Sequence, residues 1–156
     1  MMIKKFKLNK KGSSLLFAYI SLLIIAFIMA MFQYNALILF NYRNKLYQTA
    51  DMAARTVAWE VYTTNKQYII SHGSLPNNWS NNDHLINKAN KVFSSQGISG
   101  VNITLKPNGD SVKLECRKTF PYTDIKLTPG GFEKVKTTQT FDFFGYSRIK
   151  NISRKS

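Results

Sequence analysis

Groups able to do covalent or metal chemistry are sparse in this sequence and poorly spaced for it. The two histidines, His72 and His84, lie twelve residues apart with no cysteine near either. That spacing fits no common zinc pattern, and both read as surface residues flanking a polar loop. Cys116 is the single cysteine, so no intrachain disulfide can form. It alternates with Val112 and Leu114, which makes it a small core residue rather than a reactive thiol. The eight acidic residues fall singly among basic or polar neighbours, and no close pair suggests shared acid and base roles. No Gly-x-Ser-x-Gly, phosphate-loop or Gly-x-Gly-x-x-Gly run occurs, and Gly130-Gly131 after Pro129 reads as a turn. The chain is therefore read as non-enzymatic, with no cofactor and no metal site.

Charge is the more informative chemistry. The formal net charge is +14, and the residues beyond the first eleven still carry seventeen basic against eight acidic groups. A surplus of that size attracts anionic lipid heads, acidic wall polymers or nucleic acid. Lys113, Arg117, Lys118, Lys126, Lys134 and Lys136 accompany the aromatic residues Phe120, Tyr122 and Phe132. Basic residues beside aromatics can hold a polyanion, with bases stacked on the rings. The same composition also describes an ordinary basic, half-buried sheet.

The element that must position these groups begins near the N-terminus. From Gly12 to Tyr42 there is no charged residue, and of the eighteen residues Leu15–Phe32 only Ser21 is conventionally polar. Eighteen helical residues span about 27 Å, close to the thickness of a bilayer's hydrocarbon core. Eleven of them are Leu, Ile or Phe, which together favour insertion by about 3 to 7 kcal/mol. Lys4, Lys5, Lys7, Lys10 and Lys11 precede the run and predict a cytoplasmic N-terminus. A cleaved secretory signal is the competing reading, but its apolar region is shorter and ends at a small-residue site not found here.

Beyond the apolar run the helical pattern continues. Leu46, Ala50, Ala53, Val57 and Val61 recur at spacings of four, three, four and four, and no proline or glycine intervenes before Gly73. This stripe must bury itself against the protein's own domain or against another copy. A polar loop follows, then a short helix capped by Asp83, with Leu85, Ile86, Ala89, Val92 and Phe93 apolar and Gly97 at its end. After Gly100 the period becomes two. Val101, Ile103 and Leu105 alternate with polar residues, Asn108-Gly109 predicts a hairpin turn, and Val112, Leu114 and Cys116 alternate again. A third strand is expected over Thr119–Leu127, at an edge or bulged because of Pro121. A fourth is expected over Glu133–Tyr146. The fold class is thus α+β: a long N-terminal helix, membrane-spanning and then amphipathic, a short helix, and a small antiparallel sheet. The expected divisions are a basic leader at 1–12, a transmembrane helix at 13–42, a helical extension at 43–72, a small extracytoplasmic domain at 73–147 and a basic tail at 148–156.

The junction Lys11-Gly12-Ser13 joins these observations. A short basic leader ending in glycine and followed at once by an apolar helix is the arrangement that a prepilin peptidase cuts. Glycine there can take an extended conformation that a side chain would hinder. Cutting after Gly12 would remove all five lysines. The N-terminal half, KKGSSLLFAYISLLIIAFIMAMFQYNALILFNYRNKLYQTADMAARTVA, resembles type IV pilin-like proteins, specifically the TadE-like minor pseudopilins of Tad-type pilus systems. Many of those carry glutamate five positions after the glycine, where this chain has Phe17. The resemblance implies a structural part of a bacterial pilus or secretion assembly, with other pilin-like subunits or platform proteins as partners. Ser14, Ala18, Ser21, Ala26 and Ala30 would be the small residues that permit close helix packing. The alternative is a single-pass surface protein whose basic ectodomain binds DNA or an anionic wall polymer.

Overall fold

The computed structural model describes residues 10–80 and 83–149. Helix α1 covers Lys10–His72 and helix α2 Asp83–Ser95. Strands β1, β2 and β3 cover Asn102–Asn108, Ser111–Thr128 and Gly131–Arg148. The fold is α+β. The chain divides into two units whose boundary falls inside α1, at residues 40 and 41. Lys4, Lys5, Lys7 and most of the basic tail lie outside the described residues.

In the first unit the described part is helix alone. None of its apolar window is buried, and side chains such as Phe17, Leu22, Phe27 and Phe32 are exposed. This helix is long and apolar enough to cross a membrane. Ser21 is the one aliphatic hydroxyl inside the apolar run Leu15–Phe32, and its Oγ donates to the Phe17 carbonyl at 2.9 Å. The hydroxyl proton is thereby satisfied within the helix, which lowers the cost of placing it in lipid.

The second unit is built around the stripe on α1. Leu46, Ala50, Ala53, Ala54, Val57, Ala58 and Val61 are all buried, against Leu85, Ala89 and Phe93 of α2 and Val112, Leu114, Cys116 and Phe143 of the sheet. The stripe is therefore intrachain core. Four alanines in it keep the helix surface low, so a sheet can approach closely. α2 ends in a glycine cap: Ile98 N–H donates to the Phe93 carbonyl at 2.9 Å, Gly97 N–H to Ser94 at 3.0 Å, and Gly97 has φ of 71°. That geometry brings Ile98 back beside Phe93, and both are buried. Leu75 and Trp79 from the polar loop also pack against the core, which its composition conceals.

The sheet is a three-stranded antiparallel meander in the order β1-β2-β3. The first turn is displaced by one residue from expectation. Asn108 pairs with Ser111, so Gly109 and Asp110 are the central residues, with Gly109 at φ 60°. The second and third expected strands are one strand, β2, whose register with β3 runs unbroken from Ser111↔Arg148 to Thr128↔Gly131. Pro121 lies in the part of β2 beyond Arg117, where β1 has ended and, among the described residues, β3 is the only neighbouring strand. A proline is tolerated there without a bulge because one side of the strand has no ladder to complete. Arg148 and Ile149, read as tail from the sequence, belong to the sheet unit: Arg148 ends β3, and Ile149 is buried with its N–H bonded to the Asp110 carbonyl at 2.8 Å.

Candidate functional site

Alternation places Val112, Leu114 and Cys116 toward the helices and Lys113, Glu115 and Arg117 on the opposite face of β2. On that outer face the register sets Lys106, Lys113 and Tyr146 in one row, Thr104, Glu115 and Phe144 in the next, and Asn102, Arg117 and Asp142 in a third. The result is a shallow groove of about 490 Å³ whose lining includes Tyr47, Lys113, Glu115, Arg117, Asp142 and Phe144.

Its charges are mutually occupied. Glu115 accepts from Lys106 at 2.6 Å and from Lys113 at 2.9 Å. Arg117 clamps Asp142 with Nε at 2.6 Å and Nη2 at 3.3 Å. Lys113 also sits 5.8 Å from the centre of the Phe144 ring. The bonds from Lys106 and Lys113 hold the Glu115 carboxyl below its ordinary range, and the Arg117 guanidinium does the same to Asp142. An incoming polyanion would have to displace carboxylates already in place.

The six basic residues singled out by sequence are not brought together. Lys113 and Arg117 are on the outer face and ion-paired. Lys118 has the opposite parity and donates to the Ser99 carbonyl. Lys134 and Lys136 share the outer parity but lie near the β2–β3 turn, while Lys126 is on the other side, opposite Glu133. The aromatic platform is also engaged. Phe120 stacks on Tyr42 at 3.9 Å and lies 6.5 Å from a parallel Tyr122. Only Phe132 of the three is prominently exposed, at 54%.

The small residues of the first unit are all exposed on α1. At about 100° per residue, Ser14, Ala18 and Ser21 fall within about 60° of one another, and Ala26 with Ala30 are centred roughly 130° around the helix from them. They form two patches, not one stripe. The backbone of Lys11, Gly12 and Ser13 lies within α1, so Gly12 is helical here and not extended.

The histidines flank the polar loop at the two helix ends. His72 closes α1 and stacks on Tyr68 at 4.1 Å, whereas His84 opens α2 and meets Glu60 at 3.2 Å beside Lys88. Among the described residues no three His, Cys, Asp or Glu side chains gather where an ion could bind. Cys116 is buried, and burial pushes its thiol up to about 12. A network that spacing could not reveal closes the far end of the sheet. Tyr146 Oη donates to Ser111 Oγ at 2.7 Å, Ser111 donates to Asp110 at 3.1 Å, and Arg148 donates to Asp110 at 2.8 Å.

Comparison with protein-family models, with curated proteins and with solved structures returned no match.

Proposed function

We propose that this protein is a non-enzymatic, membrane-anchored, pseudopilin-like component of a bacterial pilus or secretion assembly, similar in organisation to TadE-like proteins. The observation that carries the reading is the division of labour along α1. Its first part exposes an uninterrupted apolar surface over Leu15–Phe32, while its later part, from Leu46 to Val61, is the buried spine of a small α+β unit. A helix that serves lipid or neighbouring helices with one end and a soluble core with the other suits a subunit held in a membrane before assembly. Its N-terminus would be cytoplasmic, set by the lysine leader, and the sheet unit extracytoplasmic. Prepilin peptidase would act after Gly12, which requires the first turn of α1 to unwind, and Phe17 in place of glutamate would alter contacts with a neighbouring subunit.

Intact-mass spectrometry of the membrane-extracted protein tests this. Loss of residues 1–12 is expected when a prepilin peptidase is present. An unprocessed N-terminus under those conditions would reduce the protein to a plain single-pass membrane protein.

A further inference from the structure

We propose that the outer edge of β3 is a docking site for an extended, acidic strand of a different protein, added antiparallel with carboxylates opposite Lys134 and Lys136. The whole edge lies in the second unit, so it presents the same groups whether or not α1 spans a membrane. Antiparallel strands turn their backbone groups alternately to one side and the other. Tyr146 N–H donates to Asp51 on α1 and so points away from β2. With the register unbroken, the backbone N–H and C=O groups of Phe132, Lys134, Lys136, Thr138 and Thr140 point the same way. Among the described residues no hydrogen bond reaches those backbone groups, and all five residues are exposed.

The other edges are guarded. The same alternation turns Pro107 of β1 and Pro121 of β2 outward, where neither has an N–H to offer. Ile125 N–H, also outward on β2, is taken by Asp124 at 2.9 Å. The far end of β3 is closed by Asp51 and by Tyr47, whose ring meets Phe144 at 6.0 Å. Among the described residues the stretch Phe132–Thr140 remains able to accept a strand, and open backbone of that kind pairs readily with another chain.

Charge selects the occupant. Lys134 and Lys136 make no ion pair among the described residues. An antiparallel second copy centred anywhere from Lys134 to Lys136 would set lysine against lysine, which is destabilising. A strand with acids two residues apart sets a carboxylate opposite each lysine, and the residue between them falls beside half-buried Val135. No two of this chain's eight acidic residues lie closer than five positions, so it holds no such strand of its own. The prolines turn away any strand; the lysines turn away a second copy and leave the edge open to a carboxylate-bearing one.

The test adds a synthetic peptide, Thr-Val-Glu-Val-Glu-Thr-Tyr, to the full chain in detergent and follows amide hydrogen exchange by NMR. Without peptide the amides of Lys134, Lys136 and Thr138 should exchange fast, and those of Val135, Thr137 and Gln139 slowly. Saturating peptide should slow the first set and leave the second unchanged. Affinity, read from the anisotropy of labelled peptide, should weaken about two- to fivefold for each of Lys134→Gln and Lys136→Gln. It should weaken roughly tenfold for Thr138→Pro, which removes an outward N–H without touching the ladder to β2. Slow exchange at 134, 136 and 138 before peptide is added would overturn the open edge. Binding that leaves those amides fast, or no binding, would overturn strand addition. Equal affinity for a peptide with glutamine in place of both glutamates would overturn selection by charge.

Discussion

Gly145 on β3 lies against the backbone of α1 at Ala50, so close that a Cβ on Gly145 would sit 2.0 Å from the Ala50 carbonyl oxygen and 2.3 Å from its carbon. Glycine is required there for space, since its φ is not among the positive ones. The neighbouring Tyr146 N–H donates to Asp51 at 3.2 Å, so strand and helix are also tied beside the contact. Gly145→Ala must push the helix off the sheet, because the obstructing atoms are backbone and cannot rotate away. The expected loss is about 3 kcal/mol, at the upper end of overpacking costs. Urea unfolding of the full chain in detergent, followed by the fluorescence of Trp59 and Trp79, measures it; an unchanged midpoint would refute the close approach.

Phe93 is the largest fully buried side chain of α2, at 1% exposure, and it meets Phe143 edge-on at 6.1 Å. It also receives Ile98 through the glycine cap. Phe93→Ala should cost about 3 to 5 kcal/mol, the range for emptying an aromatic site in a packed core. By contrast Glu60→Gln, which weakens the half-exposed pairs with Lys88 and His84, should cost no more than about 1 kcal/mol. The two variants unfolded side by side in the same detergent give the comparison, and equal losses would contradict the placement of the core.

Asp110 contributes to the pH dependence alongside Glu60, Glu115 and Asp142, whose carboxyls are also held low by their cationic partners. Bonds from Arg148 and Ser111 hold the Asp110 carboxyl below the ordinary range. A group depressed in the folded state adds stability that is complete above its unfolded pKa, near 4 for aspartate. That contribution disappears as pH falls from there through the lower folded value. Unfolding midpoints should therefore be flat from neutrality to about pH 5 and then decline, with Asp110→Asn declining less steeply. A decline of equal slope in both proteins would place the titration elsewhere.

What the sequence revealed, and what it hid, divides by range of interaction. The α1 stripe, α2 and the alternation in β1 and β2 follow from local periodicity; the stripe, Leu85, Ala89 and Phe93 of α2 and Val112, Leu114 and Cys116 of β2 are buried, while Ile86, Val92, Ile103 and Leu105 are half-buried. Whether the stripe from Leu46 to Val61 met its own sheet or another copy was open until the tertiary contacts were known. The joining of two expected strands into β2 was hidden because Arg117, Lys118 and Pro121 look like an interruption. They are accommodated because β1 pairs only as far as Arg117. The outer-face ion pairs were not legible at all. Arg117 and Asp142 are twenty-five residues apart and meet only through cross-strand register. For the same reason a cluster of six basic residues in sequence became two paired, two on the inner face and two near a distant turn.

Cys116 gives a chemical check on the helix-facing side of the sheet. Its thiol is buried and its pKa is pushed up to about 12, so thiolate is scarce at pH 8 and the sulfur is screened from reagent. Maleimide should leave the folded, detergent-solubilised chain unmodified and add one label after denaturation, read by intact mass. Rapid labelling of the folded chain would mean that β2 presents its other face to the helices.

The proposed membrane span of α1 can be tested by its own energetics. Its Leu, Ile and Phe residues favour insertion by about 3 to 7 kcal/mol, and one lysine near the centre opposes it by roughly 2.5 to 3.5 kcal/mol. A single Ile24→Lys substitution should therefore leave most of the protein membrane-bound. Ile24→Lys with Phe27→Lys removes two favourable residues and adds two costs, which together exceed the lower bound of the driving force. Both residues are exposed on α1 and make no part of the buried core, so the sheet unit should fold as before. Alkaline carbonate extraction of membranes should retain the parent and the single variant in the pellet and release a large share of the double variant. Retention of the double variant equal to the parent would mean that something other than this helix holds the protein to the membrane.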